Sequence, residues 1–203
     1  MDDLTIVNML QTTIVHKNFT LLSIDPGLNN VGIAIYEIET QPFKILSIQA
    51  FTLKSERLID DSCLDDEDHT ERVHKRYMMG RSLTKALQQY RPDVVASESP
   101  FFDRRKPGSF AVLTEVLTTL FDAVVAFNPL IKFVMISPQS VKMTLGVAGI
   151  KGKEVVREAM EKQQEIITVL QDPLETIDEH AIDAIAVGYS WIMTKSGLIE
   201  KKE

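Results

Sequence analysis

Three acidic residues that are far apart in the sequence carry the chemistry that this chain could perform. Asp25 follows the apolar run 21–24, Glu98 follows the apolar run 93–97, and Asp183 lies near the start of the last predicted helix. A carboxylate at the end of a buried strand lies at the edge of a sheet, where it can hold a hard cation such as Mg²⁺ or Mn²⁺. An ordinary turn aspartate has the same local sequence, so the interpretation of Asp25 depends on the other two acids.

The last helix is predicted to bring a polar pair to the same place. His180 and Asp183 are three residues apart, so their side chains share one helix face. The residues around them are small or apolar, which predicts that this helix packs closely on the sheet. If the strands that end at Asp25 and Glu98 are neighbours, the carboxylates meet at one edge. Carboxylates that close repel each other unless a cation lies between them, so the pattern indicates a divalent-metal site.

The elements that must position these residues follow from periodicity and turn residues. Pro26, Gly27, Asn29 and Asn30 predict the turn of a hairpin over residues 19–39. Further strands are predicted at 43–53, 93–97 and 131–136, and helices at 71–90, 110–127, 153–170 and about 175–193, with a helical turn from Pro138 that Gly146 and Gly149 end. A three-stranded meander followed by alternating helices and strands predicts an α/β fold with a mixed sheet and helices packed on it.

Composition narrows the class of protein. A length of 203 residues, 44% hydrophobic and 25% charged, fits one globular domain, predicted at 19–195 between an N-terminal arm (1–18) and a C-terminal tail (196–203). The single cysteine, Cys63, excludes a disulfide framework and a thiolate metal cluster, and favours a reducing compartment. We expect no apolar run near the roughly 20 residues that span a bilayer, and the chain opens acidic where a signal peptide opens basic. These features predict a cytoplasmic protein, in the host cytoplasm if the source is viral, without a membrane partner.

Charge is distributed unevenly along the chain. The net charge of −7 argues against a general nucleic-acid binder, yet residues 99–157 carry eight Lys or Arg against four acids. The segment 54–70 is so acidic and so poor in apolar residues that it is predicted to be an exposed loop. A basic centre between acidic flanks permits a localised phosphate-binding face, and solvated charge scatter is the alternative.

Four motifs in order resemble a known family. They are Ile24-Asp25-Pro26-Gly27, Glu98 with Phe101 three residues later, the segment 138–156 with Lys142 and Lys153 eleven residues apart, and His180-Ala181-Ile182-Asp183-Ala184. Over residues 20–192 they resemble the RuvC-like Holliday junction resolvases, which have the ribonuclease H-like superfold. The acidic loop and the acidic net charge depart from the family pattern.

The resemblance implies a fold, a metal site and its ligands. The expected fold is a mixed five-stranded sheet, with three antiparallel strands and then parallel additions, flanked by helices. Asp25, Glu98, His180 and Asp183 are the expected catalytic residues and ligands of two Mg²⁺ ions, with Mn²⁺ also compatible. Glu179 or Asp178 remains an alternative to His180 as the fourth ligand.

The resemblance also implies contacts with DNA. Lys142 and Lys153 would contact phosphates near the scissile bond, within a wider basic rim formed by Arg104, Arg105, Lys106 and Lys151. Phe101 or Phe102 would stack on an unpaired base at the branch point, although phenylalanines are more often core residues.

The expected activity is metal-dependent resolution of Holliday junctions by paired symmetric nicks. A C₂ homodimer would match the two-fold symmetry of a four-way junction, and residues 110–127, which are apolar on more than one face, could form its interface. The alternatives are a broader nuclease acting on flaps, forks or RNA-containing duplexes, and a non-catalytic module that binds branched DNA. A phosphotransfer ATPase is disfavoured because the sequence has no second glycine-rich phosphate loop.

Overall fold

The structure is a computed structural model that describes residues 18–40, 43–55, 71–102, 104–105, 107–150, 152 and 154–196. The predicted arm, acidic loop and tail lie almost entirely outside these residues, as do Lys106, Lys151 and Lys153. The domain bounds therefore stay predictions.

A five-stranded mixed sheet forms the centre of the described chain. Its strands are β1 (Phe19–Asp25), β2 (Asn30–Thr40), β3 (Phe43–Lys54), β4 (Val94–Glu98) and β5 (Lys132–Ile136), in the order β3-β2-β1-β4-β5. The first three strands pair antiparallel, whereas β4 pairs parallel with both β1 and β5. This arrangement confirms the predicted α/β fold with a meander followed by parallel additions.

Six α-helices and one 3₁₀ turn are described around the sheet. They are α1 (Glu71–Tyr90), α2 (Pro107–Phe127), α3 (Pro138–Thr144), α4 (Val155–Met160), α5 (Gln164–Ile167), the 3₁₀ turn Leu174–Thr176 and α6 (Glu179–Ser196).

The prediction of a single helix over residues 153–170 is wrong. Gln163 leaves the helical conformation, with φ −88° and ψ 86°, and separates α4 from α5. The chain then hydrogen-bonds to the outer edge of β3, where the Ile48 amide donates to Val169 O and the Gln171 amide donates to Ile48 O, both at 2.9 Å. Pairing with the β3 edge of the sheet replaces helical hydrogen bonds in this segment.

The predicted start of the last helix, near residue 175, is also wrong. Pro173 begins a 3₁₀ turn, and Ile177 is extended, with ψ 132°. Helix α6 begins only at Glu179, so His180 lies in its first turn.

Helix α6 packs closely against one face of the sheet. Ser23 Oγ donates a hydrogen bond of 2.8 Å to Ala184 O, and the buried Tyr36 hydroxyl donates to Ile185 O. A Cβ on Gly188 would lie 2.3 Å from the Tyr36 ring, so a larger residue would force the helix outward. These contacts fix the height and rotation of α6 just beyond its polar first turn.

Helices α1 and α2 cover the opposite face of the sheet. Val116, Leu120 and Val124 of α2 are buried in that core, but Phe121 and Val125 on its outer side are 46% and 41% exposed. Residues 108–127 are long and apolar enough to cross a membrane by length and composition alone, so the expectation that no run approaches that length is wrong. Helix α2 instead packs along α1, with Glu115 accepting hydrogen bonds from Arg72 and Arg76.

Candidate functional site

The sheet register places two predicted acids side by side. In the parallel pair of β1 and β4, Ile24 lies opposite Ser97, so Asp25 and Glu98 follow at the same edge. On the other side of β1, Asp25 lies opposite Gly32 of β2. A Cβ on Gly32 would lie only 1.9 Å from His180 O, so glycine at this position lets the first turn of α6 reach the strand that carries Asp25.

Asp178 begins α6 as its N-terminal cap. Its Oδ1 accepts hydrogen bonds from the Ala181 amide at 3.1 Å and from Thr52 Oγ1 at 2.5 Å. Burial raises the pKa of this carboxyl, but the two hydrogen bonds and the nearby His180 and Lys54 charges together outweigh burial and lower it. Because Asp178 is engaged in capping and does not line the cavity described below, Glu179 is the better placed of the two alternatives to His180.

The imidazole of His180 uses both of its nitrogens. Nδ1 lies 3.0 Å from Asp25 Oδ2, and Nε2 lies 3.2 Å from Asn30 Nδ2. The hydrogen bond to Asp25 raises the pKa of His180, although partial burial opposes that shift. An imidazole nitrogen could bind a metal ion only by giving up one of these two partners.

All four predicted catalytic residues line one cavity of about 450 Å³. Its lining comprises Asp25, Pro26, Glu98, Pro138, Val141, Lys142, Gly152, Val156, Glu179, His180, Asp183 and Val187. The fold therefore brings together predicted catalytic residues from β1, β4 and α6 that are separated by up to 158 positions. The roles assigned to them in catalysis remain predictions.

Burial and mutual repulsion raise the pKa values of two of these carboxyls. Burial, the Asp25 carboxylate and the Asp183 carboxylate together raise the pKa of Glu98 to about 8. Burial and Asp25 raise the pKa of Asp183 to about 7. The Lys142 ammonium lowers both values and does not cancel the excess negative charge.

This donor set fits a hard divalent cation. Crowded carboxylate oxygens are the ligands that Mg²⁺ prefers, and a cation would remove the repulsion that raises the pKa values of Glu98 and Asp183. Among the described residues, no three His, Cys, Asp or Glu side chains are grouped as a ready ligand set. A cation bound by His180 would change the contact between His180 and Asp25.

Of the predicted DNA contacts within the described part of the chain, Lys142 lines this cavity, whereas Phe101, Phe102, Arg104 and Arg105 do not. Phe101 is 69% exposed and Phe102 is 53% exposed, so neither is a core residue. The Phe102 ring packs edge-on against Phe110 with centroids 5.6 Å apart, while Phe101 projects farther into solvent. Arg104 and Arg105 are exposed in the same loop after β4.

Sequence reasoning missed three residues that shape the site. Asn30 was interpreted only as a turn residue, Gly32 had no assigned role, and Thr52 was seen only as part of a strand. The turn sequence gave no signal that an asparagine side chain would reach a helix 150 positions away. Gly32, two residues after Asn30, was the only sign in the sequence that another element packs closely on this strand.

Comparisons with known proteins show the fold. No family model matches the chain, and no curated protein sequence matches it. Among solved structures, RuvC of Thermus thermophilus is similar with a TM-score of 0.62 and 18% identity, covering 88% of this chain and 97% of that one. The yeast mitochondrial Holliday junction resolvase Ydc2 has a TM-score of 0.63 and 11% identity, covering 96% and 88%. The fowlpox virus Holliday junction resolvase has a TM-score of 0.52 and 14% identity, covering 87% and 99%. The chain therefore has the fold of the RuvC-like resolvases, as the sequence motifs implied.

The raised pKa of Glu98 predicts how stability depends on pH in metal-free protein. Folded Glu98 keeps its proton up to about pH 8, whereas the unfolded carboxyl releases it near 4.5, so stability falls as pH rises between these values. Glu98→Gln should weaken this dependence and raise the free energy of unfolding at pH 8 by roughly 2 kcal/mol, less than the full linkage value because the carboxyls titrate together. Urea unfolding in EDTA across this pH range measures the effect. Glu161→Gln, at an exposed position, is the control. If the free energy of unfolding depends equally on pH in the wild type and in Glu98→Gln, the neighbouring carboxylates and burial do not raise the pKa of Glu98.

Proposed function

We propose that this chain is a metal-dependent endonuclease that hydrolyses phosphodiester bonds in branched DNA, with four-way Holliday junctions as its main substrate. The proposal rests on one observation. Asp25, Glu98 and Asp183 line one cavity at the C-terminal ends of β1 and β4. Their crowding suits divalent cations, and the fold that positions them is shared with solved Holliday junction resolvases.

Asp25, Glu98, Asp183 and His180 would hold two Mg²⁺ ions in this cavity. Such ions, when bound, neutralise phosphate charge and assist both the attacking water and the leaving oxygen. The protein contributes fixed positions: strand ends hold Asp25 and Glu98, and the capped N-terminal part of α6 holds His180 and Asp183. Lys142 contributes a positive charge at the cavity, where it can contact a phosphate next to the scissile one.

Aromatic and basic residues beside the cavity would recognise the branch point. The exposed ring of Phe101 can stack on an unpaired base, a contact worth about 1 to 3 kcal/mol. Arg104 and Arg105 follow it in the same exposed loop and would bind the phosphate backbone. Lys106 and Lys151 keep their predicted place in the basic rim, and Lys153 keeps its predicted contact with a phosphate near the scissile bond.

A second copy of this chain would cover the outer face of α2. Phe110, Leu117 and Phe121 of α2 and Phe133 and Met135 of β5 line an apolar groove of about 490 Å³. Met135 is 61% exposed on β5, the edge strand of the sheet. A two-fold dimer through this surface would present two active sites to the two symmetric strands of a junction.

Cleavage of a labelled synthetic four-way junction tests the activity. The wild type should make paired symmetric nicks with Mg²⁺ or Mn²⁺ and none in EDTA, and Asp25→Asn should reduce the rate at least 100-fold because it removes a charged metal ligand. Flaps, forks, RNA-containing duplexes and linear duplex are the substrate controls. Equal cutting of flaps and forks would favour a broader nuclease, and tight junction binding without cutting would indicate a binding module.

Lys142→Ala tests the phosphate contact. Loss of one ammonium should slow cleavage about tenfold and reduce the slope of log affinity against log salt concentration by about one. The measurement is junction binding between 50 and 200 mM salt, with Lys85→Ala on the exposed side of α1 as the control. An unchanged salt slope would rule out a phosphate contact by Lys142.

Phe121→Glu tests the dimer. A charge at the centre of the apolar groove should convert dimer to monomer in sedimentation velocity, because an unpaired carboxylate resists burial. Tyr77→Glu is the matched control, since Tyr77 is a 59% exposed aromatic residue on the neighbouring helix α1. Equal sedimentation of wild type and Phe121→Glu as dimers would place the interface elsewhere, and a monomeric wild type would exclude the dimer.

A further inference from the structure

The turn between β1 and β2 is held from several sides. The Ser55 amide donates to Asn29 O at 2.8 Å, and Lys75 Nζ donates to Asn29 Oδ1 at 3.0 Å. A Cβ on Gly27 would lie 2.3 Å from Asn30 O, so the backbone folds back tightly on itself. Asn30 then begins β2 in register with Lys54 of β3. Its backbone therefore has a fixed position before its side chain makes any contact.

The side chain of Asn30 joins this turn to the active-site cavity. Its Nδ2 lies 3.2 Å from Nε2 of His180, while Nδ1 of the same ring lies 3.0 Å from Asp25 Oδ2. With the Asn30 amide oriented as in this structure, its nitrogen donates, and Nε2 accepts without carrying a proton. The ring proton is then on Nδ1, and this N–H group donates a hydrogen bond to Asp25 Oδ2. Asn30, His180 and Asp25 thus form a chain of two hydrogen bonds with one direction.

We propose that Asn30 is a positioning residue, which in the metal-free protein orients the His180 ring and fixes its proton on Nδ1 facing Asp25. Its effect on cleavage rests on the proposed function, whereas its effect on the ring does not. The residue touches neither substrate nor a cation in this role. It acts through His180, because a hydrogen-bond partner on one ring nitrogen sets the orientation and tautomer of a histidine.

The neighbouring asparagine supplies a matched control. Asn29 is in the same turn and is also hydrogen-bonded through its side chain, but to Lys75 and not to the cavity. Asn29→Ala and Asn30→Ala remove the same atoms from adjacent positions. A general loosening of the turn would affect both variants alike, whereas a specific contact with His180 would distinguish them.

Imidazole ¹⁵N spectroscopy of the metal-free protein tests the proposal without DNA. Long-range ¹H–¹⁵N correlations at a pH where the ring is neutral should show His180 of the wild type with a protonated Nδ1 and a bare Nε2. The signals are assigned by their loss in His180→Ala, among the four histidines of the chain. Asn30→Ala should shift Nε2 and mix the two tautomers, and Asn29→Ala should leave the spectrum unchanged.

Asn30→Asp should change the state of Nε2 from bare to protonated. The carboxylate has the shape of the amide but can only accept, so the ring should carry a proton on both nitrogens, between Asp25 and the new carboxylate. In cleavage, Asn30→Ala should lower kcat about tenfold with KM for the junction unchanged, and Asn29→Ala should match the wild type. An Asn30→Ala spectrum identical to the wild type would overturn the proposal, as would a changed spectrum with an unchanged kcat. If the wild type does not cleave any branched DNA, the proposed function fails and the spectra alone decide the role of Asn30.

Discussion

The rest of the site depends on the repulsion among carboxylates that the fold holds together at the C-terminal ends of β1 and β4. Two parallel strands end together at Asp25 and Glu98, and α6 adds Asp183 from above. Burial adds to the repulsion at Glu98 and Asp183, and among the described residues the Lys142 ammonium opposes it at both acids, with His180 opposing it at Asp183. A fold that needed only stability would not keep these acids together, because buried like charges oppose folding. The arrangement makes physical sense when a divalent cation and a phosphate complete it.

Close packing of α6 maintains this arrangement. The helix can approach the sheet because Gly32 and Gly188 lack side chains where a Cβ would meet His180 O and the Tyr36 ring. Ser23 and Tyr36 then bond to the carbonyls of Ala184 and Ile185, immediately after Asp183. The helix therefore has a defined height and rotation, which the local repulsion of its acidic first turn cannot relax by moving the backbone.

Strand ends and helix periodicity made much of this structure predictable from the sequence. An apolar run followed by one acid identified Asp25 and Glu98, and a helix with His180 and Asp183 on one face identified the third element. Contacts that depend on tertiary geometry could not be predicted in this way. The break at Gln163 arises because the chain beyond it pairs with the edge of β3, and Asp178 is a cap because Thr52 of β3 lies beside it. Propensity within a segment contains no information about such partners.

The histidine shows why the identity of a ligand set is harder to predict than its location. A face shared with Asp183 places His180 at the cavity, but its chemistry depends on which nitrogen is available. In this structure Asp25 engages Nδ1 and Asn30 engages Nε2, so the ring links the β1 carboxylate to the β1–β2 turn. Asp25 is also a predicted ligand of the cation, so a cation bound there would weaken the contact between Asp25 and Nδ1. Cation binding and the orientation of the ring would therefore be coupled through Asp25, while Asn30 contacts the ring at its other nitrogen.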